Sequence, residues 1–268
     1  MKISIRHHLS IGLGSGTGTA HGVQHLLLTP RSGATQTVIE WAIEMPGFAA
    51  AESFTDAYGN LAQLVCQGRP EGELTIAVAG LVETFDRHGV VGKPADEPVP
   101  ALFRRQTALT RPIGAITSKF RSAPQAGKER IALLHGLMMR VGEVLGEAEQ
   151  TQTQDGQSQS QSQGGARATA SEYAHGFIGA ARSLEIPARY VTGYLAGSEE
   201  QPAAFHAWAE AWDDGLGWIG FDAMLGYCPT DLHVRLAAGL DALSTVPVRS
   251  IPAVGTPQLL GLSVEAVG

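Results

Sequence analysis

Residues 204–222 read AFHAWAEAWDDGLGWIGFD, and this stretch decides the fold. Two runs rich in aromatic and apolar residues, FHAWAEAW and GWIGF, flank the turn sequence DDGLG, a pattern that predicts two antiparallel strands joined by a short connection. The preceding run IPARYVTGYL has the same strand character, and the turn sequence GSEEQP separates it from FHAWAEAW. The sequence therefore predicts an antiparallel meander of three strands.

The segment in front of this meander, residues 169–184, has the spacing of a helix. Thr169 or Ser171 can cap its N-terminus, and Glu172 is favourable in the first turn. Its apolar positions repeat on one helical face: Tyr173, Phe177, Ala180, Ala181 and Leu184. We therefore expect a helix followed directly by the meander.

The first hundred residues have a different pattern of apolar residues. Short apolar runs with partial alternation are separated by Gly, Pro and Asp, which is typical of an antiparallel sandwich. These runs are ISIRHHLSI, VQHLLLTP, TQTVIEWAIEM, LAQLVCQG, ELTIAVAGLVETF and GVVG. After residue 108 the spacing becomes helical, in ALTRPIGAITSKF and more clearly from Ile131 to Leu145. We predict an α+β fold, with an antiparallel β-sandwich domain in residues 1–108 and an α+β domain in residues 109–268.

Residues 150–165 are rich in Gln, Ser and Gly. Such a composition buries too little apolar surface to offset the entropy of ordering, so the tract is predicted to be a flexible surface loop. A Gln/Ser tract could also serve as an amine-accepting substrate for a partner enzyme, an alternative that the sequence leaves open.

The glycine-rich sequence GLGSGTGTAHG at residues 12–22 has the glycines of a phosphate-binding loop. It lacks the Lys-Ser/Thr ending of such a loop and no helical pattern follows it, so we expect a flexible hairpin connection.

Composition excludes several classes of partner. The formal net charge is -7 and no dense run of Lys or Arg is present, so binding to nucleic acid is not expected. The two cysteines, Cys66 and Cys228, form no metal-binding spacing and no disulfide framework. No segment has the length and apolarity of a signal sequence or a membrane span. These features predict a cytoplasmic protein that does not associate with membranes.

The order and spacing of residues 170–222 resemble the transglutaminase-like superfamily, in particular its bacterial cysteine peptidase-like members. LEIPARYVTGYL resembles the strand after the nucleophile helix, HAWAEAW the histidine strand and GWIGFDAM the aspartate strand. PTDLHVRLAAGLD resembles the continuation in bacterial members, and the front half, with LLLTPR, IEW and DAYGN, resembles their N-terminal β domain. The resemblance implies a papain-like second domain in which His206 is the general base and Asp222 orients it.

The chain departs from this family at the nucleophile. Family members typically read Cys-Gln-Asp-Phe-Ala-His where this chain reads ASEYAH, so the family cysteine aligns with Ala170. Natural divergence or an engineered change could account for the alanine, and the sequence leaves both open. Ser171 and Cys228 are alternative nucleophiles, although a hydroxyl at position 171 is expected to point away from His206. His175 is expected to be structural.

Because a methyl group can neither ionise nor attack a carbonyl, the resemblance implies a pseudoenzyme that binds a peptide or protein in the relic cleft. The alternative is an active cysteine peptidase or amide-forming acyltransferase, if Ala170 is engineered or another nucleophile is used. A third alternative is a scaffold that dimerises through the sandwich face, and a homo-oligomer is compatible with each function. No cofactor and no metal ion are expected.

Overall fold

The computed structural model describes residues 1–13, 21–68, 72–120, 128–155, 168–198, 201–251 and 257–267. The strands are β1 (Lys2–Gly12), β2 (His21–Thr29), β3 (Gln36–Glu44), β4 (Glu52–Thr55), β5 (Leu61–Gly68), β6 (Glu73–Thr84), β7 (Val90–Gly92), β8 (Ala188–Leu195), β9 (Ala204–Asp213), β10 (Gly217–Phe221), β11 (His233–Gly239), β12 (Val248–Ile251) and β13 (Gln258–Val267). The helices are α1 (Gly114–Thr117), α2 (Lys128–Asp155) and α3 (Ala170–Ser183). Strands dominate before residue 108 and the long helices follow it, so the predicted α+β class is confirmed.

Two antiparallel four-stranded sheets build the N-terminal region. Their strand orders are β13-β1-β6-β3 and β12-β2-β5-β4. Alternate residues of β1, such as Ile3 and Ile5, point into a buried cluster that also receives Leu26 and Val65 from the other sheet. Period-two alternation therefore fills the space between the sheets, as expected for a sandwich.

A third sheet has the order β11-β8-β9-β10-β7, and every neighbouring pair is antiparallel. The predicted meander β8-β9-β10 is its centre. The small side chains of Ala207, Ala209 and Ala211 share a buried cluster with Phe177 and Ala181 of α3. Alternating alanines on β9 thus allow α3 to pack closely on the sheet.

Strand pairing crosses the predicted boundary at residue 108 in both directions. β13 pairs with β1 and β12 pairs with β2, so the last strands complete the N-terminal sheets. In return, β7 pairs with β10 and forms an edge of the third sheet. The division into residues 1–108 and 109–268 stays a prediction, and strands from both ranges contribute to each of the three sheets.

Two sequence-based expectations about connections need correction. β1 and β2 pair with strands of different sheets, so these two strands do not form a hairpin; residues 14–20 lie outside the described residues. The helix α2 continues to Asp155, so residues 150–155 are helical and not part of a loop. The rest of the tract, residues 156–165, lies outside the described residues.

Within the described part of the chain, no helix combines the length and the apolarity that a membrane span requires.

Candidate active site

His206 and Asp222 are brought together, as the sequence predicts. His206 lies near the start of β9, and Asp222 is the first residue after β10, the neighbouring strand. Nε2 of His206 and Oδ2 of Asp222 are 2.5 Å apart, and the two side chains are 5% and 1% exposed. The two side chains therefore form a buried hydrogen bond, which is the contact needed for Asp222 to orient His206.

Backbone and side-chain donors surround the Asp222 carboxylate. The backbone N–H groups of Met224 and Leu225 donate to its Oδ1, each at 3.1 Å. Burial alone raises the pKa of Asp222, but hydrogen bonds from His206 and His233 outweigh burial and hold this pKa below its ordinary value. The carboxylate is consequently ionised at neutral pH and fixed in orientation.

His233 is the residue that sequence reasoning missed. It begins β11, and its Nε2 lies 3.3 Å from Oδ2 of Asp222, so the carboxylate is held between two imidazoles. The sequence feature that could have identified it is a histidine at the start of the apolar, strand-like run HVRLAAG, eleven positions after Asp222. That signal is weak because the contact depends on the register of β11 against β8, which pairs His233 with Leu195.

Ala170, which the family resemblance alone matches to the nucleophilic cysteine, is the first residue of α3 and therefore lies at a helix N-terminus. The residue before it, Thr169, caps the helix: its Oγ1 accepts from the N–H of Glu172 at 3.3 Å, while its own N–H donates to the Glu172 carboxylate at 2.7 Å. Ala170 packs against the buried cluster that contains Ala207, the residue after His206. Because a thiol at this position would have to reach its base, we predict that the Ala170 methyl lies roughly 4 to 5 Å from the His206 ring.

Ser171, His175 and Cys228 are the other candidate residues that the sequence singled out. The hydroxyl of Tyr190 donates to Oγ of Ser171 at 3.0 Å. His175 stacks on Tyr190, and its Nε2 accepts from the backbone N–H of Ala242 at 3.1 Å, which fits the expected structural role. Burial raises the pKa of the Cys228 thiol to about 11, so this cysteine is a poor thiolate source at neutral pH.

A buried charge network holds the strands around the pair in register. Arg189 of β8 donates to the carboxylate of Glu210 on β9 at 2.6 Å, and Arg235 of β11 donates to the same carboxylate at 2.9 Å. The Arg189 guanidinium also lies 4.0 Å above the ring of Trp218 on β10. Four strands are therefore tied together around Glu210, which follows His206 by four positions on β9.

Comparisons with known proteins agree with this architecture. Residues 126–223 match the family model of the transglutaminase-like superfamily, and residues 17–83 match the model of the bacterial transglutaminase-like N-terminal region. The first match contains Ala170, His206 and Asp222. The chain thus carries a transglutaminase-like core and a bacterial transglutaminase-like N-terminal region.

Individual relatives are distant. An uncharacterized protein of Mycobacterium leprae is 26% identical over 238 residues, which cover 84% of each chain. The crystal structure of a candidate cysteine protease from Cytophaga hutchinsonii is 20% identical, covers 99% of this chain and 89% of its own, and superposes with a TM-score of 0.57. The periplasmic domain of TgpA from Pseudomonas aeruginosa, bound to ethylmercury, is 15% identical over 81% of this chain and 96% of its own, with a TM-score of 0.24. The Cytophaga structure supports a shared cysteine protease-like fold.

Proposed function

We propose that this chain is a catalytically inactive transglutaminase-like protein that binds a peptide or protein segment at the cleft around His206. The observation that carries the proposal is the buried hydrogen bond between His206 and Asp222, within the region that matches the transglutaminase-like core. Ala170 stands at the position where the family resemblance requires the nucleophilic cysteine. The chain therefore retains a base and its orienting acid but lacks the attacking atom.

The retained pair is arranged as a general base would be. Nε2 of His206 is committed to Asp222, which leaves Nδ1 to face a reacting group, and no hydrogen-bond partner of Nδ1 is found among the described residues. In a cysteine enzyme, Nδ1 would take the thiol proton, the thiolate would attack the acyl carbon, and the imidazolium would return the proton to the departing amine. With a methyl group at position 170, the first step has no nucleophile, and losing a nucleophile lowers the rate by about 10⁶.

The second candidate function is an active cysteine peptidase or amide-forming acyltransferase. It is favoured by the intact His206–Asp222 pair, which supplies the base and the orienting acid that a cysteine at position 170 would need. It requires either a cysteine at this position in the natural protein or recruitment of another nucleophile. Determining the natural codon at position 170 separates the first of these cases from the pseudoenzyme.

Location and assembly are also proposed. Both cysteines are free thiols, which is in keeping with a reducing cytoplasm. We propose a cytoplasmic protein whose partner is a peptide or protein segment, with neither a nucleic acid nor a membrane as ligand. Self-association as a homo-oligomer is compatible with this function.

The test uses Ala170→Cys in a Cys66→Ser background, which removes the exposed thiol. The new thiol is expected to react with iodoacetamide at pH 7 at least about tenfold faster than it does when His206→Ala is added, because the imidazole stabilises the thiolate. A fluorescent glutamine-containing peptide should bind the unmodified protein without being turned over. In the Ala170→Cys variant, the same peptide should slow alkylation of the new thiol.

Two results would overturn the proposal. The first is release of amine from the glutamine peptide by the unmodified protein, at a rate abolished by His206→Ala or Cys228→Ala. The second is an alkylation rate of the Ala170→Cys thiol that does not depend on His206.

A further inference from the structure

We infer that His233 is a positioning residue of the His206–Asp222 pair: its Nε2–H donates to Asp222 and fixes the carboxylate that orients His206. The catalytic meaning of this inference rests on the proposed function of the pair. The hydrogen-bond assignment rests only on the geometry around His233.

The protonation state of His233 follows from its two partners. The backbone N–H of Thr230 lies 3.2 Å from Nδ1 of His233, and a backbone N–H can only donate. Nδ1 is therefore the unprotonated nitrogen, and the proton of the neutral ring is on Nε2. This proton points to Oδ2 of Asp222, 3.3 Å away.

The ring of His233 is also held mechanically. Its side chain is 1% exposed and lies edge-on to two aromatic rings, at 5.4 Å from Trp208 and 6.2 Å from Tyr227 between ring centroids. Trp208 in turn stacks 6.3 Å from the ring of His206. The imidazole cannot rotate away from Asp222 without displacing these neighbours.

With His233 in place, all the acceptor positions of Asp222 are used. Oδ2 accepts from His206 and His233, and Oδ1 accepts from the backbone of Met224 and Leu225. A carboxylate has about four acceptor sites, so these donors fix its plane as well as its position. Removing His233 leaves one acceptor site of Oδ2 without its donor.

The same three side chains could suggest a metal site, since their ligand atoms all lie within 4.8 Å of one another. A metal ion at Nε2 of His233 would need the lone pair that this nitrogen lacks while Nδ1 accepts from Thr230. The arrangement therefore fits a hydrogen-bonded His-Asp-His network better than a metal centre.

The experiment compares His233→Gln, which places an amide donor near the position of Nε2, with His233→Leu, which has no donor. Nitrogen-15 NMR of the parent protein at pH 7 should show His233 protonated at Nε2 and unprotonated at Nδ1. The downfield Nε2 proton of His206 should exchange with water about tenfold faster in His233→Leu, and within about threefold of the parent rate in His233→Gln, in line with the loss seen when an orienting partner is removed. Thermal unfolding shows whether both variants fold.

Three results would overturn the inference. They are the opposite tautomer of His233, an unchanged exchange rate of the His206 proton in His233→Leu, and loss of the His206 signal on addition of stoichiometric Zn²⁺ in the parent but not in His233→Leu. The tautomer measurement needs no variant, so it decides the matter even if His233→Leu does not fold.

Alkylation of Ala170→Cys, Cys66→Ser with and without His233→Leu adds the functional readout. We expect the rate to fall about tenfold with His233→Leu and to recover with His233→Gln. If Ala170→Cys is unreactive while the NMR results hold, the proposed function fails and the role of His233 toward Asp222 stands. If the NMR results fail while Ala170→Cys is activated by His206, the role of His233 toward Asp222 fails and the proposed function stands.

Discussion

The 2.5 Å contact between His206 Nε2 and Asp222 Oδ2 joins the start of β9 to the residue that follows β10, and both side chains are almost completely buried. Asp222→Ala removes the shared acceptor and leaves buried donors without a partner. We expect it to lower the free energy of unfolding by about 3–5 kcal/mol. Urea denaturation measures this loss.

Asp214→Ala is the matched control for Asp222→Ala. The Asp214 carboxylate pairs with Arg130 but is 80% exposed, so the expected loss of unfolding free energy is about 0–1 kcal/mol. Equal losses in the two variants would contradict the prediction.

Stability should decline in mild acid, and His7 should contribute to the decline. Burial, with a smaller effect of His8, lowers the pKa of His7 to about 4, and the ring contacts the hydroxyl of Tyr194. In the unfolded chain the pKa returns to about 6.5, so between about pH 6.5 and pH 4 the unfolded state binds a proton that the folded state does not. The stability that the neutral ring provides is complete above about pH 6.5 and is lost as the pH falls toward about 4.

The variant His7→Gln isolates this contribution. The stability advantage of the parent over the variant should shrink by up to about 3 kcal/mol across this pH interval. His21→Gln, which changes an exposed histidine, is the matched control and is measured at the same pH values. Denaturant titrations at several pH values make the comparison, and a pH-independent difference for His7→Gln would contradict it.

The two cysteines should differ in reactivity. Cys66 is exposed, whereas burial raises the pKa of Cys228 to about 11, which leaves about one thiolate in a thousand at pH 8. Iodoacetamide should therefore modify Cys66 first, and Cys228 should become reactive only as the pH approaches 11. Mass spectrometry of the labelled peptides follows both sites. Rapid labelling of Cys228 at pH 7 would contradict this prediction and would support Cys228 as the alternative nucleophile.

The start of α3 depends on the capping box that Thr169 forms with Glu172. Thr169→Ala is expected to lower the free energy of unfolding by about 1 kcal/mol, because an N-terminal N–H of the helix loses its acceptor. Thr169→Ser keeps the hydroxyl and should stay close to the parent. Urea denaturation of both variants tests the cap, and equal destabilisation by the two would assign the effect to the lost methyl group.

Local patterns predicted the elements around the site because the relevant signals are short-range. Aromatic and apolar runs with turn residues between them indicated β8, β9 and β10, and the cap at Thr169 indicated where α3 begins. β4 was missed because its four residues are all exposed and carry no alternation.

What local patterns could not predict is pairing between distant segments. The return of β12 and β13 to the N-terminal sheets depends on which edges are open after the chain has folded. His233 reaches Asp222 only through the register of β11 on β8, so its place in the site could not be read from its neighbours in sequence.

The pairing of β13 with β1 matters for a chain that is still being synthesised. β1, β3 and β6 leave the ribosome early, but the strand that covers the free side of β1 follows only after α2, α3 and the whole meander. Until then β1 is a bare edge, and β2 is equally bare until β12 is made. Unpaired strand edges of this kind template aggregation between nascent chains. We therefore expect the nascent chain to depend on chaperones until β12 and β13 have been released.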